Sequence, residues 1–120
     1  MSRYRIERAE EIIKANIGGI IQKEIDFPGK PLITVTKVKI SDNMYHVDIF
    51  VSVLPNEALE KSMDILRKNI YHIQKELDKM MPIRPVPQLR FVADLEPQKI
   101  EKIDIILEKI KKQKAGEKFQ

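Results

Sequence analysis

Between Leu32 and Leu54 the chain alternates apolar and polar positions with a period of two, while on both sides its apolar residues recur at helical spacing. From Tyr45 the alternation puts Tyr45, Val47, Ile49, Val51 and Val53 on one side of a strand and His46, Asp48, Phe50 and Ser52 on the other. Leu32 to Ile40 is equally rich in β-branched residues and predicts the partner strand. Ser41-Asp42-Asn43 carry short polar side chains that bond nearby backbone, so the two strands should form a hairpin turning there.

Upstream, residues 3 to 25 put Ile6, Ala9, Ile13, Ile17, Ile20 and Ile21 on one side of a helix. Gly18-Gly19 fall inside that pattern, and each costs about 1 kcal/mol relative to alanine in a helix interior. Close approach of another element is the expected reason for tolerating them. The helix should stop before the breaker-rich Phe27-Pro28-Gly29-Lys30-Pro31. Downstream, Pro55-Asn56-Glu57 opens a second helical region, with Asn56 as N-cap and Glu57 and Glu60 near the positive helix end. Its stripe of Leu59, Met63, Leu66, Ile70, Ile73 and Leu77 runs unbroken to Met80-Met81. Periodicity alone therefore predicts one helix of about 25 residues.

Pro82, Pro85 and Pro87 make a stiff connection to a third strand, Gln88 to Leu95, in which Leu89, Phe91, Ala93 and Leu95 alternate with Arg90, Val92 and Asp94. Pro97 suits the first turn of a last helix whose stripe is Ile100, Ile103, Ile106, Leu107 and Ile110. The expected organisation is one domain over residues 1–110 and a basic, disordered tail over 111–120.

At 120 residues the chain can bury a real core. No apolar run approaches the roughly 20 residues of a membrane span, and MSRYRIERAEE lacks an apolar signal region. With no cysteine there is no disulfide, zinc-thiolate site or cysteine nucleophile, and the cytoplasm is the simplest compartment. The net charge of +4 changes the picture less than it first suggests. From Lys109 to Gln120 five lysines face one acid, so that segment alone carries +4 and the remainder is neutral. A basic tail attracts polyanions without much specificity, so a folded body that recognises RNA must do so with a local patch.

Little in the chain points to catalysis. His46 and His72 lie on different elements, and neither sits in a ligand-spaced cluster. His46 and Asp48 share a strand face, an arrangement that usually means a solvated surface. Gly-rich phosphate loops are absent. The better feature is a ridge on the second helical region: Lys61, Lys68, His72, Lys75 and Lys79 fall almost opposite the apolar stripe, Arg67 is nearby and Arg84 follows in the connection. Such a ridge can track phosphates, although Glu57 and Glu76 share parts of it and it also fits an ordinary charged face. Arg3, Arg5 and Arg8 form a second cationic group at the start of the first helix, where positive charge does not help the helix dipole.

RIERAEEIIKANIGGIIQKEI, ITVTKVKISDNMYHVDIFVSVL, IQKELDKMMPIRPVPQLRFVAD and KIEKIDIILEKI cover nearly all of residues 3 to 110, and together they resemble the ribosome-binding factor A family of bacterial small-subunit assembly factors. The resemblance implies an α+β, type II KH-like domain, ordered helix-strand-strand-helix-kink-helix-strand-helix, with a three-stranded sheet and helices on one face. It implies that the long helical region is two helices separated by a kink. KH domains proper hold RNA backbone with a GxxG loop, which this chain lacks. The family has a small-residue kink there, typically Ala-x-Gly, where this chain reads Asn69-Ile70-Tyr71. Asn69 could still break the helix by visiting left-handed backbone, whereas Tyr71 cannot give the close approach that glycine allows.

The implied function is a non-enzymatic factor that binds the small (30S) ribosomal subunit and its 16S rRNA and supports late maturation, including 5′-end processing. Arg67, Lys68, Asn69, Lys75, Lys79 and Arg84 are the expected RNA contacts, with Arg3, Arg5 and Arg8 assisting. The expected molecule is a monomer without cofactor, metal, membrane or small-molecule substrate. The alternative is a protein-interaction module whose open sheet face presents Phe50 and Val92 as exposed anchors.

Overall fold

The computed structural model of the chain describes residues 3–95. The last helix and the basic tail expected from the sequence lie outside them. The order is α1 (Arg3–Glu24), β1 (Leu32–Ile40), β2 (His46–Leu54), α2 (Leu59–Lys68), α3 (Ile70–Met80) and β3 (Gln88–Ala93), with a short 3-10 turn at Asn56–Ala58 before α2. The sheet runs β1-β2-β3, with β1 antiparallel and β3 parallel to the central β2. A hairpin suffices for the first pair. The parallel pair needs a crossover, which α2 and α3 supply.

The inward row of β2, Val47, Ile49, Val51 and Val53, is fully buried, and Val38, Ile40, Leu89 and Phe91 extend that face across the sheet. Onto it α1 presents the six residues that its sequence spacing predicts, from Ile6 to Ile21. Met63 and Leu66 of α2 and Ile73 and Leu77 of α3 complete the core. The described helices therefore cover one face of the sheet. Each large aliphatic side chain so buried contributes about 1.5–3 kcal/mol.

Four local expectations are corrected. Nothing stands within 4 Å of where a Cβ would be at Gly18 or Gly19, so no close approach explains them. Tyr45 belongs to the turn rather than to the strand: Asn43 Oδ1 accepts its amide at 3.0 Å, and pairing resumes only where Ser41 N donates to the His46 carbonyl. Asn56 makes no capping bond, because the chain leaves β2 through Pro55 into the 3-10 turn and Asn56 lies inside that turn. The third strand stops at Ala93 and Leu95 is exposed, since Asp94 N makes the final bond, to the Val51 carbonyl, and the Asp94 side chain then accepts the Thr36 hydroxyl.

The long apolar stripe does not make one helix. The backbone breaks at Asn69, with φ −102 and ψ 13. Its amide donates to the carbonyls of Ile65 and Leu66 at 3.1 and 3.2 Å, and its Nδ2 donates to Ile65 O at 2.7 Å. The break falls where the family resemblance implies a kink, but its means are different. Asn69 keeps a negative φ, and its side chain competes for an α2 carbonyl instead of taking a left-handed turn.

Candidate nucleic-acid interface

The break at Asn69 sets the last turn of α2 beside the first turn of α3. Arg67 and Lys68 end the one; Tyr71 and His72 begin the other, with Lys75 and Lys79 following along α3. Lys68 and Lys75 are exposed and form no ion pair among the described residues. Tyr71 is 87% exposed and stands one helical turn before Lys75. An exposed aromatic between two unanswered ammonium groups offers a stacking surface and phosphate contacts together. Tyr71 is not among the contacts expected from the sequence. The available signal was an aromatic residue with no place in the apolar stripe.

Other members of the ridge are answered within the fold. His72 Nε2 lies 2.8 Å from Glu24 Oε1, joining α3 to the end of α1. Lys79 Nζ donates to Glu76 Oε2 at 2.9 Å. That hydrogen bond holds the Glu76 carboxyl below its usual range and pushes the Lys79 ammonium above its own. Arg67 is exposed, but its Nη2 also donates to the Phe91 carbonyl at 3.4 Å, tying α2 to β3. The side chain of Asn69 is committed to Ile65 O. The ridge thus presents less unanswered charge than its residue count implies.

His72 also corrects an expectation about metals. Glu24, His72 and Glu76 bring ligand atoms within 4.8 Å of one another. The four-residue spacing of His72 and Glu76 was visible in the sequence; the approach of Glu24 was not. Lys79 already holds one oxygen of Glu76, and Glu24 and His72 satisfy each other. On the opposite sheet face Asp48 accepts from Arg90 at 2.8 Å, so the His46 and Asp48 pair belongs to a solvated surface. Phe50 and Val92 on that face are half-buried rather than exposed, and Lys37 Nζ lies 5.5 Å from the centre of the Phe50 ring.

The remaining candidates gather at the other end of α3. Arg3 pairs with Glu7 at 3.4 Å. Arg5 and Arg8 line a hollow of about 140 Å³ with Met44 and Ile83, and Arg84 lines its neighbour together with Arg5. The 11 residues of α3 separate this group from the kink by about 16 Å. The expected contacts do form two groups, but Arg84 sits with Arg5 at this end rather than with the ridge at the kink.

A mixed three-stranded sheet, helices on one face and a broken helix pair between β2 and β3 define an α+β class of domain. Within that class the chain belongs to the ribosome-binding factor A family, whose sequence profile matches residues 5–107. The ribosome-binding factor A of Clostridium acetobutylicum is 38% identical over 113 residues, covering 92% of this chain and 93% of the relative. The fold is similar to the solution structure of a Thermotoga maritima protein described as a candidate ribosome binding factor A, with a TM-score of 0.65, 21% identity and coverage of 77% of this chain and 89% of that one. It is also similar to a Thermus thermophilus ribosome binding factor A, a homology model fitted into a cryo-electron-microscopy map of its complex with the 30S subunit. There the TM-score is 0.63 at 22% identity, over 72% of this chain and 91% of that one. Among the described residues no helix is long and apolar enough to cross a membrane.

Proposed function

We propose that this chain is a cytoplasmic, monomeric and non-enzymatic assembly factor that binds the small ribosomal subunit through 16S rRNA and supports late maturation, including processing of the RNA 5′ end. Family membership supports the partner, as does the 30S complex described for the Thermus thermophilus neighbour. The observation that carries the RNA contact is the strip of Lys68, Tyr71 and Lys75 across the break in the helix pair. Such a factor acts by binding one conformation of the subunit in preference to others.

The non-enzymatic reading rests on the same geometry. Three carboxylates that could serve a histidine are already engaged: Glu24 by His72, Glu76 by Lys79 and Asp48 by Arg90. None of these three is poised as a free general base beside a nucleophile. Purified protein should hydrolyse neither RNA nor nucleotides. Hydrolysis that co-purifies with the protein and disappears on substitution of His46 or His72 contradicts this reading.

Sedimentation with purified small subunits across a salt series tests the binding. Each phosphate contact on single-stranded RNA contributes about 0.7 to the slope of log affinity against log salt. Replacing Lys68 and Lys75 by alanine should lower that slope by about 1.4, and adding Lys79→Ala should lower it further by less than a full contact, because Glu76 already holds that ammonium. Deleting residues 111–120 should weaken binding to subunits and to unrelated RNA by similar factors. If tail deletion abolishes binding while the lysine variants bind as the parent does, the folded body is not the RNA reader.

A further inference from the structure

Three segments distant in sequence meet at the end of the domain remote from the kink. Arg5 and Arg8 come from α1, Met44 and Tyr45 from the β1–β2 turn, and Ile83 and Arg84 from the connection between α3 and β3. Two hollows of about 140 and 150 Å³ adjoin here, sharing Arg5, Met44 and Ile83. Tyr4 borders the first and Tyr45 the second, and they are 71% and 65% exposed. Among the described residues no acidic side chain lines either hollow.

The backbone holds Tyr45 in place. Met44 takes a positive φ of 61°, and its amide donates to the Ser41 carbonyl at 2.8 Å. The Tyr45 amide donates to Asn43 Oδ1, and its carbonyl accepts from Gln88 N at 2.8 Å, which fixes the turn to the start of β3. The ring is therefore displayed from a backbone bonded on both sides. The first turn of α1 contains arginines and no acid. Cations there oppose the helix dipole, at about 0.3–1 kcal/mol each, and of these Arg3 is answered by Glu7 one turn on.

The geometry points to a binding site for an unpaired RNA nucleotide, with Tyr4 and Tyr45 stacking on bases and Arg8 and Arg84 meeting the flanking phosphates. This rests on the RNA-binding reading above and adds to it a contact selective for single strands. Bases inside a duplex have no free face for a tyrosine, whereas splayed bases do. An apolar protein segment could touch Met44 and Ile83, but the guanidinium groups of Arg8 and Arg84, which form no ion pair among the described residues, favour a polyanion.

The test uses the full chain, a labelled single-stranded RNA oligonucleotide, the same strand without bases, an RNA duplex, and purified small subunits. Tyr4→Ala with Tyr45→Ala should weaken single-strand binding roughly fivefold or more per stacked base and leave the salt slope unchanged. Tyr4→Phe with Tyr45→Phe keeps the rings and should bind as the parent does. The strand without bases should not distinguish the parent from the alanine pair. Arg8→Ala with Arg84→Ala should lower the single-strand slope by roughly 1.4. Circular dichroism should be the same throughout, since these side chains are exposed. If the alanine pair binds the single strand as the parent does, the site is overturned. If that pair loses subunit binding alone, the surface meets a ribosomal protein and the RNA assignment is overturned. Should the parent itself bind neither subunits nor RNA, the underlying RNA-binding reading fails, a result distinct from failure of this site.

Discussion

The two cationic ends of α3 are built in opposite ways. From the kink along α3 the candidate side chains come from one continuous stretch, Arg67 to Lys79, and acids stand among them: Glu24 answers His72 and Glu76 answers Lys79. At the other end they come from three segments, and among the described residues no acid lines the hollows between them. The first surface was countable in the sequence but overstated in charge. The second could not be counted at all until the chain folded. A helical projection shows which residues share a face; it cannot show which charges a neighbouring helix has already met.

The largest effect expected is one that joins the two regions. Ile73 is fully buried beneath α3. Ile73→Ala should cost about 2–5 kcal/mol, seen as a lower urea midpoint, and should weaken binding by both ends together. A loss below 1 kcal/mol would mean that α3 is not a shared support.

The next effect separates the ends. Asn69→Ala removes the bond from Nδ2 to the Ile65 carbonyl and puts a strong helix former at the break. It should cost about 0.5–1.5 kcal/mol and move carbon chemical shifts of residues 68 to 71 toward helical values. The hollows around Arg8 and Arg84 should be untouched. Unchanged shifts at the kink would show that Asn69 does not cause the break.

Gly19→Ala probes the helix that spans both ends while touching neither. An added Cβ meets nothing within 4 Å, and the position is exposed. The variant should be more stable by up to about 1 kcal/mol, read from thermal or urea unfolding, with binding unchanged. A loss of stability would restore the close approach that the sequence pattern suggested.

The smallest effect concerns Glu76 and Lys79. The folded Glu76 carboxyl is held low, so its contribution is present above the ordinary carboxylate range and is lost as pH falls through the lowered value. The Lys79 ammonium is held high, so its contribution is present below the ordinary lysine range and is lost as pH rises through the raised value. The pair therefore contributes across the neutral range. Glu76→Gln should remove this small difference, measured as thermal unfolding against pH, while releasing Lys79 and steepening the salt dependence of subunit binding. An unchanged salt slope would show that Lys79 does not face RNA.

Much of the fold was legible from spacing. The alternation through β2 and the isoleucine stripe of α1 survive almost residue for residue, because both record which side of an element meets the core. The family resemblance supplied the kink, which the apolar stripe concealed: Leu66, Ile73 and Leu77 stay buried on both sides of Asn69. Asn56 and Tyr45 were misplaced because a proline exit and an asparagine side chain reset the backbone locally. Of the candidate site, the cations were visible one at a time. Tyr71 stood outside the apolar stripe, Tyr4 and Tyr45 gained meaning only through exposure, and the grouping of Arg5, Arg8 and Arg84 depends on tertiary contacts that no local pattern encodes.

The central claim is that the folded body reads small-subunit RNA through the strip at the kink. Sedimentation of the full chain with purified small subunits over a salt series, comparing the parent with Lys68→Ala/Lys75→Ala, tests it most directly. The account predicts weaker binding, a log–log salt slope lower by about 1.4 and an unchanged circular dichroism spectrum. Equal affinity and equal slope for the two proteins would contradict it.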